Sequence, residues 1–193
     1  MTKKILVLDG HPARESFCGA LASAYAEAAK KKGHDVRVLR LADLAFDPDF
    51  GTGSFKSIKP LEADLETFWS DLEWCNHFVV AHPLWWGGLP AKLKGLIDRV
   101  LLPGKAFKYV PGKAVPAKLM TGRTSDVLVT ADTPGWIFRF IYGLAIKKQM
   151  KLQILEFCGL KLKNYAWFAP IHQSTDTARA KMLGKAARLG AAV

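Results

Sequence analysis

Two short runs in this 193-residue chain constrain its fold most: Lys4-Ile-Leu-Val-Leu8 and His77-Phe-Val-Val-Ala-His82. Their interiors are wholly apolar, so a strand built from either is hydrophobic on both faces. Such strands belong in parallel sheets covered on both sides by helices. Both runs are cut off at once, the first by Asp9-Gly-His-Pro12 and the second by Pro83. A helical pattern follows the first break. From Ser16 to Lys32, Phe17, Leu21, Ala24 and Ala28 keep three-to-four spacing, and Gly33 marks the stop.

The same alternation runs on to the end. Asp35–Leu41 reads as a second strand, leading to a turn at Asp47-Pro-Asp49 and a Gly/Ser/Lys/Pro-rich loop over 48–60. Leu61–Asn76 reads as a helix, and so does Pro90–Leu101, where proline at the start loses no needed N–H. Residues 103–118 hold three prolines and four lysines and read as a surface excursion. Asp126–Thr130 and Asn164–Ile171 complete five strands, with helices expected over Trp136–Met150 and Thr175–Leu189. Strands alternating with helices imply an α/β fold. Five such units fit a single domain over 1–193: a flavodoxin-like, doubly wound, five-stranded parallel sheet with helices on both faces. Ligands of such sheets lie beyond the carboxyl ends of the strands, at the topological switch point.

Composition removes several classes. Half of the residues are hydrophobic and 23 % charged, which excludes a disordered or collagen-like chain. No apolar stretch approaches the ~20 residues of a membrane-spanning helix, and none makes a signal-peptide core, so a cytoplasmic location is expected. Cys18, Cys75 and Cys158 are far apart and odd in number, which reads as free thiols rather than a disulfide framework or zinc site. No metal centre is expected. His77 and His82 fall on opposite faces of one strand, and His11, His34 and His172 show no ligand spacing. The net charge of +11 is uneven: residues 1–84 carry 10 basic and 12 acidic groups, residues 85–193 carry 18 and 5. No nucleic-acid-binding motif accompanies it, so solvated faces and attraction for a phosphorylated ligand are expected, not a nucleic-acid partner.

The loops after strands one, three and four are where chemistry is expected. Gly10-His-Pro-Ala-Arg-Glu-Ser-Phe17 leads into a helix with Ser16 placed as N-cap and Arg14 suited to phosphate. An ordinary capped turn reads the same way. Without Gly-x-Gly-x-x-Gly, it is no Rossmann dinucleotide turn. Pro83-Leu-Trp-Trp-Gly-Gly-Leu-Pro90 sets two tryptophans beside two glycines: flat apolar walls, with main chain free to approach a ligand. That suits a planar heteroaromatic; packing against a helix or another subunit is the alternative.

These residues carry a resemblance. Gly10-His-Pro-x-x-x-Ser-Phe17, His82-Pro-Leu-Trp-Trp-Gly-Gly-Leu-Pro-Ala-x-Leu-Lys-Gly95 and Asp98-Arg-Val resemble the flavodoxin-like NAD(P)H:quinone oxidoreductases. That family includes DT-diaphorase-type enzymes, modulators of drug activity and ancillary flavoproteins of potassium-efflux systems. Ile154-Leu-Glu-Phe-Cys-Gly-Leu160 is similar to the family's segment there. The resemblance implies non-covalent FMN or FAD, NAD(P)H as co-substrate, and a homodimer with active sites at the subunit interface. By position, His11, Ser16, Phe17 and Cys18 correspond to the phosphate and ribityl contacts. Pro83, Leu84, Trp85, Trp86 and Gly87 correspond to the isoalloxazine cradle. Trp85 stands where the family often has Gln or Tyr, and Gly87 where some members have Phe. After strand four, Ala131-Asp-Thr-Pro134 departs from a common Thr-Thr-Gly-Gly. There Asp132 either accepts from a flavin ring N–H or caps the next helix.

The cofactor carries such chemistry, while protein supplies position and electrostatics. The expected cycle is ping-pong: NAD(P)H passes hydride to flavin N5, leaves, and a flat quinone-like acceptor takes hydride at the same site. Main-chain N–H groups around Trp85–Gly87 are expected near N5 and O4, with His11, Tyr142 and His172 as candidate proton donors. The rival reading is an electron carrier or a regulatory subunit of a potassium-efflux transporter, whose membrane partner the basic second half would meet.

Overall fold

Period-two alternation is what sorts the side chains of the central strands between two cores. A computed structural model of the chain describes residues 2–51 and 57–193; positions 52–56 of the expected 48–60 loop lie outside them. The strands are β1 (Lys4–Asp9), β2 (Asp35–Arg40), β3 (His77–Pro83), the two-residue β4 (Phe107–Lys108) and β5 (Ala117–Lys118), then β6 (Thr124–Thr130) and β7 (Lys161–Phe168). Five form one parallel sheet in the order β2-β1-β3-β6-β7. This is the expected doubly wound order, and β1 and β3 flank its switch point.

Ile5, Val7, Val79, Ala81 and Leu128 face α1 (Phe17–Lys31) on one side. Leu6, Leu8, Phe78, Val80 and Val127 face α2 (Ala63–Trp74) and α3 (Ala91–Val100) on the other. Each fully buried Leu or Ile contributes roughly 1.5–3 kcal/mol. Ser16 caps α1 as expected, its Oγ accepting from the Gly19 N–H at 3.0 Å. In α3, Arg99 is 1 % exposed and reaches out of the core to the Asp47 and Pro60 carbonyls (2.5 and 2.7 Å) and to Glu62 (2.8 Å).

Three expectations need correction. The helix expected over Trp136–Met150 is broken: α4 (Gly135–Phe140) ends at a turn where Gly143 and Leu144 both have φ +58°. Two left-handed residues interrupt the i→i+4 ladder. The chain restarts as α5 (Ala145–Lys148), widens into a π-helical stretch over Gln149–Leu155 and closes with α6 (Glu156–Cys158). The excursion over 103–118 is not purely a surface feature, because it folds into the β4–β5 ladder and buries Ala106 and Phe107. The fifth strand begins and ends three residues before the expected Asn164–Ile171; exposed lysines at 161 and 163 mask its start, and Pro170 follows its end. The terminal helix is α7 (Asp176–Ala191), capped by Thr175.

Candidate functional site

The carboxyl ends of β1, β3 and β6 bring three loops together. In the first, Gly10 N–H donates to Ala81 O at 2.7 Å, which ties the loop to β3. Asp9 Oδ1 accepts from His11 N–H at 3.1 Å, and His11 Nδ1 accepts from Ala13 N–H at 3.0 Å. With Nδ1 accepting there, Nε2 is the ring nitrogen left to donate. The N–H groups of Phe17 and Cys18 belong to the first turn of α1, which has no preceding carbonyls to satisfy it.

The second loop is a two-residue hairpin. Trp85 N–H donates to Gly88 O (3.1 Å) and Gly88 N–H to Trp85 O (2.9 Å), while Trp86 and Gly87 between them have φ of +50° and +76°. Two positive φ values in sequence mark a type I′ turn. Glycine accepts that backbone freely; tryptophan does so at a cost of about 1 kcal/mol. The turn leaves the Trp86 side chain 105 % exposed, whereas Trp85 meets the His11 ring edge-on at 5.6 Å. Trp85 N–H is therefore occupied within the turn, and of the three main-chain donors expected here only those of Trp86 and Gly87 remain.

The third loop follows β6. Asp132 does not cap the next helix, whose first turn has Pro134 as cap residue and no side-chain cap bond. Its Oδ1 instead accepts from the Ile171 and His172 N–H groups (3.0 and 2.6 Å) and ties the segment after β7 across the site. Trp167 Nε1 donates to Thr133 O at 3.2 Å and stacks on Phe138 with centroids 3.9 Å apart.

Two clefts result, meeting at Leu84. The first, about 210 Å³, is lined by His11, Ser16, Phe17 and Cys18 from the first loop, Pro83 and Trp85 from the second, and Ala131 and Asp132 from the third. Trp86 and Gly87 line the second, about 570 Å³, opposite Thr133, Phe138 and Tyr142. Tyr142 on its lining is exposed, as are Trp136, Phe140 and Ile141 just before it in the chain.

Residues 3–190 match the family model described as Flavodoxin-like fold. The NAD(P)H dehydrogenase [quinone] 1 of Rattus norvegicus is 32 % identical over 208 residues, spanning 94 % of this chain and 74 % of its own length. This chain belongs to the flavodoxin-like NAD(P)H:quinone oxidoreductase family. Among solved structures, Smu.1420 from Streptococcus mutans UA159 is similar with a TM-score of 0.80 and 27 % identity, covering 98 % of this chain and 99 % of that one. The NAD(P)H:quinone oxidoreductase from Methanothermobacter marburgensis shares the fold at a TM-score of 0.80 and 24 % identity, covering 99 % and 98 %.

For this oxidoreductase the three candidate proton donors do not converge. His11 lines the first cleft, Tyr142 the second, and His172 is an exposed residue held by its main chain. Beneath the site His82 is fully buried; its Nδ1–H donates to Pro83 O at 3.0 Å and Nε2 has no partner. Burial lowers its pKa to about 4, so the ring is neutral. Among the described residues no three His, Cys, Asp or Glu side chains gather as a metal site needs, and no helix is long and apolar enough to cross a membrane. All three cysteines are buried and unpaired.

Sequence reasoning missed a polar network at the opposite end of the sheet. Tyr25 OH donates to Asp126 Oδ2 at 2.8 Å, and Asn164 gives its main-chain N–H and its amide to Asp126 Oδ1, both at 3.0 Å. The His77 ring bridges Tyr25 OH (3.0 Å) and Thr124 Oγ1 (2.7 Å).

Proposed function

We propose that this oxidoreductase is a flavin-dependent NAD(P)H:quinone reductase, moving two electrons as hydride from NAD(P)H to a quinone or a similarly flat acceptor. One observation carries the reading: a capped helix start and an exposed Trp86-Gly87 turn lie on adjoining clefts at the switch point of the sheet. A helix N-terminus holds phosphate through free N–H groups and partial positive charge. The apolar cleft beyond it has room for a planar ring system. The relative's name, NAD(P)H dehydrogenase [quinone] 1, supports the same donor and acceptor classes.

FMN or FAD, when bound, would supply the hydride-transfer chemistry between NAD(P)H and the acceptor. The chain's own residues do the rest. Ser16 holds the first turn of α1 open toward the phosphate, with the Phe17 and Cys18 N–H groups as donors. Trp86 and Gly87 present main-chain N–H groups where charge develops. Leu84, Trp85 and Phe138 are walls that exclude water. The His11 ring stands beside one cleft and the Tyr142 phenol beside the other.

Exposed Trp86 and Tyr142 on the larger cleft, with exposed Trp136, Phe140 and Ile141 on the segment leading to Tyr142, support a homodimer in which a second copy covers that cleft. Three buried free thiols suit a reducing compartment such as the cytoplasm.

The test is an absorption spectrum of the purified protein, followed by anaerobic NADPH and then a quinone. A flavin spectrum that bleaches and returns is expected. Failure of both FMN and FAD to bind overturns the reading. A bound flavin that NADH and NADPH leave oxidised points instead to the carrier or transporter-subunit role.

A further inference from the structure

Among the described residues Asp9 is the one buried carboxylate at the carboxyl end of the sheet. It closes β1, is 3 % exposed, and forms part of the floor of a separate polar cleft of about 280 Å³ between the start of α1 and the end of β2. One oxygen holds the His11 N–H. The other lies 2.6 Å from where a Cβ on Gly19 would sit, and Ser16 Oγ lies 3.4 Å from the same point. The acid and the helix cap are thus neighbours, and a side chain at 19 would collide with the acid.

We propose that Asp9 is a proton-linked brake on the phosphate end of the cofactor: the helix start accepts a flavin phosphate as Asp9 takes up a proton from solvent. This rests on the flavin reading above. A carboxylate beside the N-terminus of α1 occupies the field that favours an anion there, and it repels a second anion arriving. Protonation removes the repulsion, while the carbonyl oxygen still accepts the His11 N–H.

The groups around it do not cancel this. Burial already pushes the Asp9 carboxyl above the usual carboxylate value, and Asp43 beyond β2 pushes the same way. The His11 N–H, His11 and Arg40 pull against them without prevailing. Arg14, which lines the cleft with Glu15, is paired to Asp43 at 3.1 Å. From α1 the Cys18 thiol faces it, neutral because burial and the Asp9 charge push its ionisation well up.

The experiment uses the full chain freed of flavin, with FMN and riboflavin titrated into wild type and Asp9→Asn between about pH 5 and pH 8. Asparagine keeps the acceptor for His11 and removes the charge. The FMN phosphate ionises near pH ~6 in both proteins, so it cancels in the ratio of their affinities. The ratio is expected to move about tenfold in favour of Asp9→Asn as pH rises, the effect of one pKa unit of coupling. Riboflavin, lacking the phosphate, is expected to give a flat ratio. A flat FMN ratio, or an equal slope with riboflavin, overturns the proposal while leaving the flavin reading intact. Absence of binding by either flavin to either protein overturns the flavin reading first. Should Asp9→Asn fold poorly, calorimetry on wild type at steps between about pH 5 and pH 8, in two buffers of different ionisation heat, decides. Proton uptake with FMN and none with riboflavin is expected; no uptake with FMN overturns it.

Discussion

At the amino ends of the strands, Tyr25, His77, Thr124, Asp126 and Asn164 satisfy one another in a network centred on Asp126, which is 0 % exposed, with Asn164 at its solvent edge. At the carboxyl ends the opposite holds. Main-chain donors of α1 and of the Trp86-Gly87 turn face open clefts, and an indole stands wholly in solvent on a left-handed backbone. Both ends are rich in polar and aromatic groups, so residue type does not separate structure from function here. What separates them is whether the partners come from within the chain. Groups that complete one another serve stability, whereas groups left incomplete in a cleft are the ones we propose for a ligand.

The sharpest way to break that contrast is Asp126→Ala. It takes from the buried Tyr25 hydroxyl its carboxylate acceptor and from the buried His77 ring the charge beside it, and should cost about 3 kcal/mol in chemical denaturation. Flavin affinity of the folded protein should not change; a loss below about 1 kcal/mol would mean the network is not closed. The network also sets an acid limit. Burial pushes the Asp126 carboxyl up, but His77, Asn164 and Tyr25 together outweigh it and hold it below the ordinary value of 3.8. Its contribution is therefore present above that pH and fades as pH falls below 3.8 toward the folded-state value. Asp126→Asn should lack that limb of the stability profile.

Trp86→Gly tests the other end with the opposite sign. Relief of the left-handed strain should stabilise the flavin-free protein by about 1 kcal/mol, while flavin affinity and dimer formation fall. A destabilised variant would show that Trp86 packs within its own chain. The smallest effect belongs to Asp132→Ala. Global stability should shift by no more than about 0.5 kcal/mol, since both donors it serves are exposed. Amide exchange at Ile171 and His172 should nevertheless quicken; unchanged exchange would sever Asp132 from that loop.

How far each end could be read from sequence follows the same division. The central strands and the positions of the two motif loops were legible because local patterning carries them: apolar runs for β1 and β3, Ser before Phe17 for the cap, Trp-Trp-Gly-Gly for the loop after β3. The network around Asp126 was not, since Tyr25 and Asp126 meet across 101 positions of sequence. Asp132 reads equally well as a helix cap until its donors, 39 and 40 residues on, are in view. The broken helix after α4 escaped for a related reason. Ile141-Tyr-Gly-Leu144 carries only one weak helix breaker, and its left-handed pair is held by contacts such as Leu144 N–H to Phe138 O at 3.1 Å.

The Arg99 clamp has a consequence for how such chains diverge. One guanidinium grips carbonyls at Asp47 and Pro60, so both ends of the intervening stretch are fixed to α3 whatever lies between them. Doubling a loop closed in this way costs only about 0.6 kcal/mol, and the register of the sheet never feels the change. Insertions gathered over evolution, or segments grafted by design, are best absorbed between those two carbonyls.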